Sequence, residues 1–195
     1  FKVNIWKNIT KNLAYNLTYQ YQAIFMSSLG ASALALGYIN SAAGAVNTVL
    51  SIPTGVMTDK FGIKKMLLAS LIVFLVSSLA FGFSYSWQMS AVALLVFTVA
   101  FTLDRTTCPM VCGATLASEE RVTGMGFCDT VSFFPMIIAP LIGAALITYF
   151  GGMNADGIRP VFLIQAVLMI APILIIWLRF ENPRAHITGR KEGVF

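Results

Sequence analysis

The sequence predicts an all-α membrane protein of six transmembrane helices, and two observations carry that reading. Only 11% of the 195 residues are charged and 57% are hydrophobic, with a mean hydropathy of +0.79. A soluble domain of ordinary composition carries about 25% charged residues. Apolar stretches of about 20 residues, the length that crosses a bilayer, recur along the chain with short polar joints between them. A surface this poor in charge faces lipid.

The predicted spans are residues 9–29, 36–57, 65–83, 87–116, 122–150 and 160–178. They make residues 1–180 one six-helix bundle and leave residues 181–195 as the start of a basic cytoplasmic loop or tail. The chain has no initiator Met and no signal-peptide pattern, and its basic end is expected to lead into a longer polypeptide. Pro53, Pro109, Pro135, Pro140 and Pro172 interrupt the spans, which membrane helices tolerate because neighbouring groups satisfy the freed carbonyls.

The first span is the most polar. Tyr15, Tyr19, Gln22 and Met26 share a stripe, and Asn12, Asn16 and Gln20 lie on the adjacent one. Polar groups at membrane depth are expensive against lipid, so this broad face is expected to line a path. On the second span, Asn47 and Ser51 are further candidates for the path. The fourth holds two adjacent charges, Asp104 and Arg105. Thr98, Thr102, Arg105, Pro109 and Cys112 follow one helical stripe, which would turn Arg105 toward a cavity. Three readings of Arg105 stay open: a solute or proton role, a structural pair with Asp104 or Asp129, or snorkelling to the surface. Asp129 lies one turn inside the fifth span, where it either titrates in a partly buried setting or is solvated as a helix cap. Asp129, Ser132, Met136 and Gly143 can share a face.

Orientation follows from the basic residues. With six spans both termini lie on one side, which collects Lys2, Lys7, Lys11, Lys60, Lys64, Lys65, Arg121, Arg179, Arg184, Arg190 and Lys191. The other side has only Arg159. Positive charge collects on the cytoplasmic side, so both termini are expected in the cytoplasm. Trp6, Trp87 and Trp177 fall at predicted helix ends, as interfacial anchors do. The glycosylation sequons at Asn8 and Asn16 then fall in the cytoplasm or the membrane and are discounted. Gly62-Ile63-Lys64 and Gly157-Ile158-Arg159 are the one trace of an inverted repeat between the two halves.

Several function classes are excluded. The net charge of +5 sits in short clusters between apolar runs, which is a topology signal and not a nucleic-acid surface. Cys108 and Cys112 lack a second pair or a ligating His, His186 lies alone in the polar tail, and Cys128 reads as a small buried thiol. No phosphate-cradling loop and no nucleophile–base arrangement occurs. No enzyme activity, cofactor or metal site is expected.

The stretch GVMTDKFGIKK, residues 55–65, gathers charge between two apolar spans. Gly55 would let a neighbouring helix approach, and Gly62 would allow a tight reversal at positive φ. Asp59 comes one turn after Gly55, at the membrane surface, and Lys60, Lys64 and Lys65 complete the pattern. This loop resembles the signature of the major facilitator superfamily, with Ile63 where that family often has a basic residue. The text before it, LGASALALGYINSAAGAVNTVLSIPTG, is similar to the family's first external loop and second helix.

The resemblance covers essentially the whole chain and implies the N-terminal six-helix half of such a transporter, built as a 3+3 inverted repeat. It implies that Asp59 helps hold a cytoplasmic gate against a helix of the other half. Arg105 resembles the fourth-helix arginine tied to proton coupling in some members, although Pro109 stands where the family has glycine. PMIIAPLIGAAL in the fifth span falls at the spacing of an antiporter-type motif, with Pro135, Ala139 and Ala144 in place of glycines; a plain packing helix is the other reading.

The expected function is secondary transport of a small solute, driven by its own gradient or by a coupled proton or ion. The expected partners are membrane lipid and a second six-helix bundle, either the remainder of a longer chain or a second copy. A non-transporting half-size subunit, acting as a scaffold in a membrane complex, is the alternative.

Overall fold

The structure, a computed structural model, describes residues 2–115 and 121–180, with the backbone alone at positions 2, 108, 112–115 and 121. The expectation for residues 181–195 lies outside the described residues, as does the last residue of the predicted fourth span. All regular structure among the described residues is helical. The order is α1 (Lys2–Thr18), a 3-10 turn (Tyr19–Tyr21), α2 (Gln22–Ser28), α3 (Ala33–Phe61), α4 (Ile63–Gly82), α5 (Trp87–Thr115), α6 (Arg121–Tyr149), α7 (Ala155–Leu168) and α8 (Ile170–Arg179).

Five stretches are long and apolar enough to cross a membrane: α3, α4, α5, α6 and the run Ala155–Arg179 through α7 and α8. They make the chain an integral, multi-pass membrane protein. The first segment does not reach that hydropathy, because α1 carries Lys7, Lys11 and a series of asparagines. The 3-10 turn divides it between Thr18 and Gln22.

Local chemistry sets the helix ends. Ser32 caps α3 by accepting from the Ala35 amide at 3.2 Å. At 29 residues α3 is about 44 Å long, more than the hydrocarbon core requires. It stops at Gly62, whose φ of +86° bars most side chains and turns the chain into α4. That is the reversal expected of Gly62. Asn154 caps α7 through its side-chain oxygen, which accepts from Gly157 at 2.8 Å.

Helix α4 is the central post, packed against α5 on one side and α7 and α8 on the other. Around it α1 lies on α6, and α5 lies on α3. One core joins Phe25, Phe81 and Phe162, with the last two rings stacked at 4.7 Å. A second core gathers Leu67, Leu71, Val111, Ile176 and Phe180 at the other end of α4. Helix α3 stands outermost and buries only Ile39, Thr54 and Thr58.

The close approach of α1 to α6 depends on Gly143. A Cβ there would run into the Leu17 carbonyl oxygen and sit 3.0 Å from the Tyr21 ring. Tyr21 also donates its hydroxyl to the Pro140 carbonyl at 2.8 Å. Gly55 behaves differently from its expectation, since a Cβ there would meet nothing within 4 Å. Its small size admits no neighbour within this bundle.

Gly143→Ala should therefore lower stability by about 1–3 kcal/mol, through overpacking against backbone that cannot give way. Gly44→Ala, which meets nothing within 4 Å on α3, should cause no loss. Unfolding of the two variants in the same detergent measures the difference.

Candidate functional site

A cavity of about 700 Å³ opens between α1, α5 and α6. Helix α1 contributes Asn8, Lys11, Asn12, Tyr15 and Asn16, and Tyr19 follows from the 3-10 turn. Helix α5 supplies Phe101, Asp104, Arg105 and Pro109, and α6 supplies Met125, Cys128, Asp129, Ser132, Phe133 and Met136. The two stripes predicted on the first span thus reach the wall through Tyr15 and Tyr19 on one and Asn12 and Asn16 on the other.

The aromatic part of the wall is pre-stacked. Tyr15 lies 4.8 Å from Tyr19 and 5.4 Å from Phe97, nearly parallel to both. Offset stacking of this kind stabilises the rings beyond their burial and fixes the two phenols along α1. Asn16 is buried, and its Nδ2 donates to the Asn12 carbonyl at 2.8 Å. That bond settles the amide's orientation and leaves Oδ1 without a hydrogen-bond partner. An unsatisfied buried acceptor costs about 1–3 kcal/mol.

The charged part centres on Asp104. Lys7 Nζ donates to its Oδ1 at 3.0 Å, and Lys11 Nζ donates to its Oδ2. The Lys7 side chain is 0% exposed, that of Lys11 12% and that of Asp104 7%. These lysines stand one helical turn apart on α1, so both reach the same carboxylate on α5. The sequence assigned them to a cytoplasmic cluster; here both are ion-pair partners of Asp104, Lys7 buried and Lys11 half-buried. They also take Asp104 away from Arg105. Arg105 is exposed, rests over the Phe101 ring at 5.9 Å, and makes no salt bridge among the described residues. Among the described residues Arg105 pairs with neither Asp104 nor Asp129, and it stands on the cavity wall.

Other candidates are distributed as follows. Asp129 is exposed on the cavity wall. Asn47 lies outside the cavity and accepts from the Thr102 hydroxyl at 2.7 Å, bridging α3 to α5. Thr102 thus leaves the stripe that carries Arg105 and Pro109. Gln22 is buried and does not reach the wall. In the loop, Asp59, Lys60 and Lys65 are exposed, and Lys64 donates to the Trp177 carbonyl at 3.2 Å, tying α4 to the end of α8. Among the described residues no group of three or more His, Cys, Asp and Glu could hold a metal.

Comparison with known proteins gives the context. The family model described as Major Facilitator Superfamily matches residues 13–194. A probable galactarate/D-glucarate transporter of Bacillus subtilis is 25% identical over 166 residues, 81% of this chain and 35% of that protein. Its counterpart in Escherichia coli K12 is 26% identical over 163 residues, 80% of this chain and 35% of that protein. An uncharacterized transporter of the same superfamily from Methanocaldococcus jannaschii is 28% identical over 162 residues, 82% of this chain and 40% of that protein. The chain therefore spans well under half the length of these relatives.

The two neighbouring charges on α5 should respond differently to mutation. Asp104→Ala removes the carboxylate that buried Lys7 and half-buried Lys11 share and should cost about 3–5 kcal/mol. Arg105→Ala loses an exposed contact with a ring and should cost about 1 kcal/mol or less. Thermal unfolding of the purified variants separates the two outcomes.

Proposed function

The chain belongs to the major facilitator superfamily, and from that premise we propose that it forms one six-span bundle of a secondary transporter. Residues 2–28 provide the sixth crossing, polar because it lines the path. The bundle rocks against a second one and exposes a midplane site to each side in turn. The observation that carries this reading is the polar cavity between α1, α5 and α6, set in helices that are otherwise apolar.

The packing pattern supports a 3+3 inverted repeat. Exchanging the first three spans with the last three turns the α1–α6 contact into the α5–α3 contact, and both are present. Both termini lie in the cytoplasm in this reading. Lys60, Lys64 and Lys65 mark that side at one end of α3 and α4, while Arg159 lies toward the other. Gly55, Asp59, Lys60, Gly62, Lys64 and Lys65 form the gate loop. Asp59, exposed here, meets a helix of the second bundle when the cytoplasmic side closes.

Tyr15, Tyr19 and Asn16 recognise the polar body of the solute, and Arg105 and Asp129 take part in binding or ion coupling. Asn47, Asp104 and Gln22 act from behind the lining or at its edge. Relatives named as galactarate/D-glucarate transporters make a sugar acid the first solute to try.

The test is uptake of labelled galactarate by proteoliposomes holding the full-length polypeptide, under an imposed proton gradient. Arg105→Gln should lower uptake at least about tenfold, as losing a charge-assisted contact does. Asp59→Asn should slow uptake while leaving solute affinity unchanged. If the wild type moves neither galactarate nor other small polar solutes, transport is overturned in favour of the half-size scaffold.

A further inference from the structure

We propose that Asn16 selects the solute by its hydroxyl groups, its Oδ1 accepting a hydrogen bond from an alcohol O–H, and that the solute is therefore polyhydroxylated. The inference deepens the reading of the cavity as a solute path and rests on it. Its basis is a buried acceptor in the cavity wall that has no donor to accept from.

Asn16 is one of the lining residues on α1 and is only 3% exposed. Its Nδ2 donates to the Asn12 carbonyl, one turn back, at 2.8 Å. Exchanging Nδ2 and Oδ1 would set two acceptors against each other, so the amide has one orientation. Oδ1 is then without a hydrogen-bond partner among the described residues. Buried polar groups are paired as a rule, and an exception in a cavity wall calls for a ligand. That ligand is a donor, because a carbonyl oxygen only accepts. An ammonium would bring a charge that one neutral oxygen does not compensate, whereas an alcohol arrives neutral. Oδ1 is buried as the cavity stands, and a side-chain rotation on the wall, the common adjustment on binding, brings it within reach.

Tyr19 narrows the class further. It follows Asn16 by three residues, lines the same cavity, and leaves 45% of its surface exposed. Stacking on Tyr15 at 4.8 Å holds its ring in place. The wall thus offers a hydrogen-bond acceptor and an apolar ring surface close together on one segment. A solute that uses both carries O–H donors along one edge and C–H groups along another, as a polyhydroxylated carbon chain does. A site that hydrogen-bonds a hydroxyl rejects the analogue lacking it, because the site's polar group then stays unpaired. Asn16 is accordingly a specificity-determining residue, and the hydrogen bond forms and breaks with no covalent step.

The experiment uses the full-length polypeptide in lipid nanodiscs, titrated with galactarate and with adipate. Both are six-carbon dianions, but galactarate carries four hydroxyls and adipate none. The wild type should bind galactarate about tenfold or more tighter than adipate. Asn16→Leu, which removes the acceptor, should weaken galactarate binding about tenfold and leave adipate binding unchanged. Its thermal stability should be equal or higher, since an unsatisfied polar group gives way to an apolar one. A residue needed only for packing would instead lose stability and bind both solutes less. Asn16→Ala provides the same comparison if the leucine variant does not fold. Tyr19→Ala, which removes the ring, should weaken both solutes alike.

The proposal is overturned if Asn16→Leu leaves galactarate binding unchanged, the result expected if a buried water is all that Oδ1 meets. It is overturned as well if adipate binding falls in step, or if the wild type binds adipate as tightly as galactarate. A wild type that binds no galactarate also overturns it, while uptake of another small polar solute by proteoliposomes would keep the transport reading. Hydroxyl-selective binding that depends on Asn16, without uptake of any solute, would uphold the role of Asn16 and remove the transport reading instead.

Discussion

The ion cluster of Lys7, Asp104 and Lys11 is the contact on which the arrangement of this bundle depends. Helix α1 is too polar to sit in lipid by its own hydropathy, and two of its lysines are largely withdrawn from solvent. Asp104 on α5 makes that burial tolerable by accepting from both. Charges in a membrane interior are kept where they are paired and face protein. The cluster fixes the rotation of α1, turning Tyr15, Asn16 and Tyr19 onto the cavity. The opposite side of the helix packs Ala14 and Leu17 into the core. Gly143 and the Tyr21–Pro140 hydrogen bond then set its distance from α6.

This arrangement places the polar and apolar surfaces in a coherent order. Helix α4 carries the cores, while α3 and much of α6 turn large apolar side chains outward, among them Ile52 and Val56 on one and Phe133 and Ile137 on the other. Lipid is a natural neighbour for such surfaces. Phe133 is different because it also borders the cavity, so the polar cavity lies beside an apolar face. In the proposed transporter the second bundle closes that side.

Much of the fold was legible in the sequence because it depends on hydropathy and on glycine. The five apolar crossings fall within a few residues of the predicted spans, and Gly62 adopts the positive φ expected of it. The polar stripes of the first segment border a cavity through Asn12, Tyr15, Asn16 and Tyr19. What escaped the sequence was pairing across distance. Lys7 and Lys11 stand near a helix start, where a lysine can equally snorkel to the interface or pair inside. Their one-turn spacing was visible, but their partner lies more than 90 residues along the chain. The same limit applies to Asn47, whose amide meets Thr102 on α5 and not the cavity. Gly55 shows the converse: a small residue in a membrane helix suggested a close neighbour, and none is there within the bundle.

The most direct measurement is a cryo-EM map of the full-length polypeptide in nanodiscs with galactarate bound. The account predicts solute density between α1, α5 and α6, a solute hydroxyl within hydrogen-bond reach of Asn16, and Lys7 and Lys11 still on Asp104. Solute density elsewhere, or lysines of α1 pointing away from Asp104, would contradict it.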